Sequence, residues 1–333
     1  GAYNTGIGYI ALNAVTTGGY NTGLGFYSGK GITTGERNTC IGSDAGRSLT
    51  TSSDNTAVGT NSMYACTTGT NNTAVGKDAL KTITTVSYCT AVGDYALAVN
   101  TAQYMTAFGV QALGSNTSGE SNTGLGFRAL RLNTTGERNT AGGFDSMYSN
   151  TTGNYNTAFG NYTLRLNTTA NYNAAFGDYA LYANTTGAQN CAVGGGGPLS
   201  VNTTGGQNTA VGTAVLDANT TASGNSGFGY NALGANTTGH SNTALGYDAM
   251  AVCTTGTYNV AVGHNTLVSL STGSYNTGLG RSALAASTST NYGTGVGYEA
   301  GYSVTGEANT CIGFRAGKNV TSGTNNVLVG LQA

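Results

Sequence analysis

The side chains best able to ligate a metal, attack a carbonyl or form a disulfide in this 333-residue chain are six cysteines and two histidines. Cys40, Cys66, Cys89, Cys191, Cys253 and Cys311 include no Cys-x-x-Cys pair, and His240 and His264 are too far apart to share an ion, so no metal site is expected. No nucleophile is accompanied by a His or carboxylate cluster. Acid–base and covalent catalysis therefore have no candidate residues, and neither an enzyme nor a cofactor is expected. The run Gly194 to Gly197 before Pro198 lacks the Lys-Ser/Thr pair and the helix of a phosphate loop. What the chain offers instead are rows. Lys30, Arg47, Lys81, Arg131, Arg165 and Lys318 recur at one position of a repeat, and Tyr258, Tyr275 and Tyr292 at another.

The repeat that spaces these residues is a seventeen-residue phrase, seen whole in Asn72 to Tyr88. Its core, Asn-Thr-(Ala/Gly)-(aliphatic or Phe)-Gly, begins twenty times between Asn4 and Asn326, and sixteen of the nineteen intervals are seventeen residues. The intervals from 89 to 105 and from 293 to 309 are sixteen residues, and that from 190 to 208 is eighteen. A short fixed period of this kind is the mark of stacked supersecondary units, each burying its apolar side on its neighbours. Gly frequency, β-branched Thr and Val, and the lack of a 3.6-residue apolar period exclude helix. The expected fold is all-β: a β-solenoid, or parallel β-roll, of about 20 stacked coils with two short strands each. At ~4.8 Å per coil this is a rod of roughly 95 Å, read as one repeat domain over 1–333 and as a segment of a longer fibre.

Numbering each coil from its Asn as N-T-A-V-G-x-x-A-L-x-x-N-T-T-G-x-x, strand alternation puts positions two and four on one face and one, three and five on the other. The aliphatic fourth position reads as core: Val58, Val75, Val92, Phe108 and Leu125. Leu80, Leu97, Leu113 and Leu130 at position nine are expected on the second strand, facing that column across a thin sandwich. In four coils position nine is Gly29, Gly46, Gly301 or Gly317, and position twelve, usually Asn, becomes Ile32, Leu49, Val304 or Val320. One side chain replaces another, as constant core volume requires.

Position three is small almost throughout, as in Ala57, Ala74, Ala91, Ala107, Gly124, Ala141, Ala158 and Ala175. Because alternation places it opposite the assigned core, the smallness implies close approach by another copy of the chain, and these residues are the expected subunit interface. The competing reading is a coil so tight that position three touches its own backbone. Tyr258, Tyr275 and Tyr292 stack for stability or form a platform for sugar rings. Asn116, Asn133, Asn150, Asn167, Asn184, Asn202, Asn219 and Asn236 lie in Asn-x-Thr/Ser sequences, which serve turns or, in a glycosylating host, carry glycans.

A net charge of −1 with 8% charged residues gives no basic excess for binding nucleic acid, and no apolar run reaches membrane-spanning length. NTAVG at Asn55 and Asn208, and NTTG at Asn133 and Asn150, resemble the NTAVG-x-x-AL-x-x-NTTG arrays of phage and bacterial tail-fibre-domain proteins and, more loosely, the head repeats of trimeric autotransporter adhesins. The resemblance spans the chain. It implies a homotrimeric or filamentous fibre segment, extracellular, at the cell surface or on a virion. The first functional expectation is thus a rigid spacer. Recognition of cell-surface glycans along the rod is the second, and ice binding by the Thr column Thr5, Thr22, Thr39, Thr56 and Thr73 the third.

Overall fold

The computed structural model describes residues 1–333 and is a β-solenoid without helix. Its contacts divide the chain into two compact units, Gly1–Ala170 and Asn171–Ala333. The first holds ten three-residue strands, β1 (Thr5–Ile7) to β10 (Thr157–Phe159), and the second holds β11 (Ala174–Phe176) to β20 (Val327–Val329). Within each unit successive strands pair parallel and in register, so Thr56 faces Thr73, Ala57 faces Ala74 and Val58 faces Val75. A repeat of constant length returns each residue type to the same height one coil on, which is why the columns in the sequence are columns in space.

Each coil has one strand, not the two expected. Positions six to eleven are turns in which positions seven and nine are left-handed: φ is +56° at Asp78 and +49° at Leu80. This conformation is uncommon for a residue as bulky as Leu. It is held from both sides, because the Leu80 N–H donates to the Ala96 carbonyl of the next coil at 3.1 Å and the Asp78 N–H to the Thr60 carbonyl of the previous one at 2.9 Å. Interstrand bonding therefore continues through the corner although the dihedral angles are not those of a strand.

Glycine at position five makes the tight stacking possible. All twenty such residues have φ between +119° and +147°, and a Cβ at Gly76 would lie 2.6 Å from the Gly93 carbonyl. No L side chain fits that space or that angle.

The core is the reverse of the one expected from alternation. Position three points inward, and Ala57, Ala74, Ala91, Ala107, Ala141, Ala158 and Ala175 are fully buried within a single chain. At Gly124 a Cβ would meet the Ala129 carbonyl at 3.3 Å and the Leu113 side chain at 3.4 Å, so this column abuts its own coil and the leucine of the coil before. These residues cannot form a subunit interface. Smallness here is the signature of a narrow coil. Leu80, Leu97, Leu113 and Leu130 are fully buried and fill the space that the small column leaves.

Val58, Val75 and Val92 are half-buried on the outer face, and Phe108 and Leu125 are exposed, Phe108 by 56%. Opposite the leucine column the inner side of the strand has room only for small side chains, so the larger fourth position faces out. The Gly-for-Leu exchange works as expected in three of the four coils: a Cβ at Gly29 would sit 3.0 Å from the Ile32 δ-methyl, and Ile32, Leu49 and Val304 are fully buried, whereas Val320 is half-buried. Gly at position nine also suits the left-handed angle there, +57° at Gly29.

Candidate functional site

Two asparagine columns line the interior. At position one, the Asn38 side-chain nitrogen donates to Asn21 Oδ1 at 3.0 Å and to the Ser52 carbonyl at 2.8 Å, and the Asn38 backbone N–H donates to the same Asn21 oxygen at 3.0 Å. At position twelve, Asn116, Asn133, Asn150 and Asn167 of the first unit are linked side chain to side chain at 2.6 to 2.7 Å. Asn202, Asn219 and Asn236 continue the pattern in the second, at 2.8 to 3.0 Å. A primary amide can accept from one neighbour while donating to the next, so it is the side chain that satisfies a buried polar column. The column stops where its chemistry stops: the next residue after Asn236 is Cys253, and Asn236 Oδ1 is buried without a donor. All eight asparagines of the Asn-x-Thr/Ser sequences are fully buried, which removes them as glycan carriers in the folded chain and leaves the structural role.

The outer face of the sheet presents Thr at position two and an aliphatic or Phe at position four. Neither column contains a charged residue in any of its twenty places. Ile7, Leu24, Phe108, Leu245 and Leu279 are among the exposed members. The relief is uneven, since Gly142 is covered by the Phe159 ring, which a Cβ there would approach to 2.5 Å.

Position six, which sequence reasoning passed over, flanks this face with further rings. Tyr9 stacks on Phe26 at 5.3 Å, Phe127 on Phe144 at 5.2 Å, Tyr230 on Tyr247 at 5.0 Å and Tyr298 on Phe314 at 5.4 Å. The recurrence of aromatics one residue after the invariant Gly in adjoining coils was the available signal.

Tyr258, Tyr275 and Tyr292 stand in one exposed row, with centroids 5.1 and 5.2 Å apart and planes within 10°. Both faces of Tyr275 are covered by its neighbours, and His240 meets Tyr258 edge-on at 5.0 Å. A sugar ring stacks on an open aromatic face, and the row leaves only the outer face of Tyr292, beyond which the column continues as Ala308. The geometry is that of aromatic pairing for stability.

All six cysteines are free thiols. Burial pushes Cys40 up to about 12 and Cys66, Cys89 and Cys253 to about 11, which makes them poor nucleophiles at neutral pH. No three His, Cys, Asp or Glu side chains are grouped as a metal site would need. No helix is long and apolar enough to cross a membrane.

Most of the ionic residues lie on the edge formed by positions six to ten, while Arg37 pairs with Glu36 and Asp54 at the opposite corner of the repeat. Arg128 pairs bidentately with the buried carboxylate of Asp145 at 2.8 and 2.9 Å and lies 5.2 Å from the Tyr148 ring centre. Lys318 and Arg315 both reach Glu299, at 2.5 and 2.9 Å, and together hold its carboxyl down at about 2. Comparison of the chain with protein-family models and with curated proteins finds no match.

Proposed function

We propose that this chain is a structural segment of a fibre or adhesin stalk, extracellular, at the cell surface or on a virion, whose copies associate through the outer face of the sheet. The observation that carries the reading is the uncharged Thr-and-aliphatic surface that runs along each unit with large side chains exposed on it. An apolar surface repeated at every strand is an interaction surface, because leaving it in water forfeits the burial of every coil. Its natural cover is another copy: only a partner with the same rise per coil keeps its contacts in step along the stack. Three copies, each turning one sheet inward, would close the apolar faces about a common axis, which supports a trimer.

The Thr-x-aliphatic array is also the kind of regular, weakly polar surface that could order water, and this gives the ice-binding reading its support. Column four changes size from Gly142 to Phe159, however, so the face is ridged. Ridges suit interdigitation with a partner better than a planar lattice. Sedimentation equilibrium of the 333-residue chain tests the proposal: a mass three times that of the chain is expected, and a stable monomer at micromolar concentration would sink it. Thermal hysteresis in a monomeric preparation would favour the ice reading instead.

A further inference from the structure

Six coils carry a base at position ten, and in four of them it reaches back to position seven of the preceding coil, whereas Lys30 and Lys81 meet Tyr27 and Asp78 of their own coils. Arg47 lies 5.0 Å from the Tyr27 ring, Arg131 donates to Gln111 at 2.9 Å, Arg165 to Asp145 at 3.4 Å and Lys318 to Glu299 at 2.5 Å. Arg47 is also 5.4 Å from the ring of Tyr64, at position ten of the following coil, so its guanidinium is flanked by tyrosines from both sides.

The eighteen-residue coil from Asn190 to Gln207 has Ser200 at position ten, too short to reach back, and differs from the other coils that lack a base there by its extra residue. The extra residue falls in the glycine run, where Gly196 and Gly197 have φ of +72° and +68° and a Cβ at Gly195 would meet nothing within 4 Å. Bare backbone thus replaces the side chains that other coils carry there. The result is an open groove of about 500 Å³ lined by Tyr179, Tyr182, Asp178 and Asp217. The two tyrosine rings are 5.4 Å apart and tilted by 46°. Asp217 accepts from Ser200 Oγ at 2.8 Å and takes part in no ion pair. No Lys or Arg occurs between Arg165 and Arg281, so neither the coil of Asp217 nor the coils on either side of it supply a base to that carboxylate.

We propose that this groove binds the guanidinium group of an arginine side chain carried by a peptide partner, in the place that Arg131 and Arg165 fill from within the chain in their own coils. The planar cation would lie against the Tyr179 and Tyr182 rings and donate to the Asp217 carboxylate, as Arg128 does to Tyr148 and Asp145 within the chain. This assignment is independent of how copies associate, since its residues lie on the turn edge and not in columns two and four.

Isothermal titration of the full chain with N-acetyl-arginine amide tests it, with the citrulline and lysine amides as probes of charge and planarity. Saturable binding of the arginine amide is expected, weaker by about tenfold after Asp217→Asn or Tyr182→Ala through loss of the charged hydrogen bond or the ring contact. Ser200→Arg should abolish it by supplying the guanidinium from the chain. Absence of saturable binding, equal binding of the citrulline or lysine amide, or undiminished binding by Ser200→Arg would each overturn the proposal.

Discussion

Asn150 donates its side-chain amide to Asn133 Oδ1 in the coil before it, at 2.7 Å, and its own Oδ1 accepts from Asn167 in the coil after, also at 2.7 Å. The same nitrogen reaches the Gly153 carbonyl at 3.1 Å, closing the corner of its own coil. One side chain therefore joins three coils in a place that water does not enter.

Asn150→Ala is expected to destabilise the first unit by about 1–3 kcal/mol, because it strands the Asn133 acceptor and an Asn167 donor in the interior. Urea denaturation followed by circular dichroism measures this. A change within about 0.5 kcal/mol, the range of ordinary surface substitutions, would show that the ladder contributes little.

The reversal of the two faces makes opposite predictions for two apolar residues. Val75→Asp places a charge on the outer face, so the monomer fold should survive while association is lost. Leu113→Ala opens a cavity in a fully buried column and should cost about 2–5 kcal/mol whatever the state of assembly. Sedimentation and thermal melts on both variants separate the effects. A Val75→Asp chain that fails to fold would place that side chain inside.

Gly76→Ala is expected to be among the most damaging substitutions of a small residue in the chain. The φ of +131° is hostile to any Cβ, and the added methyl meets the carbonyl of Gly93. Loss of more than about 3 kcal/mol, or failure to accumulate folded protein, is the expected outcome. By contrast Gly195→Ala enters open space and should be tolerated.

Thiol labelling reports the interior directly. With Cys40 raised to about 12 and Cys66, Cys89 and Cys253 to about 11, less than a hundredth of each is thiolate at pH 8, and all four are buried. Native protein at pH 8 should leave these four unlabelled by an aromatic disulfide reagent over hours, and urea should expose them together. Rapid labelling of Cys40 in the native state would contradict its inward position.

The period, the parallel in-register stack, the leucine column at position nine and the exchange of Leu for Gly with Ile32 or Leu49 could all be read from residue order, because a repeat of constant length forces like residues into columns and a packed interior conserves volume. Parity of the strand could not. With small apolar residues at position three and larger ones at position four, alternation divides them into two faces without saying which faces inward. The width of the coil decides, and that width follows from left-handed turns at Asp78 and Leu80 that aim the leucine across the interior and leave room opposite only for Ala or Gly. Four phenylalanines in column four, too large for the inner side of a strand that faces the leucine column, were the clue in the sequence. The groove beside Ser200 was likewise visible only as an insertion; its walls come from Tyr179 and Tyr182 of one coil and Asp217 of another, which the stack brings to one edge. Order along the chain determines what repeats, and only the closed coil, by setting how much volume lies inside it, determines which repeating side chains are left for a partner.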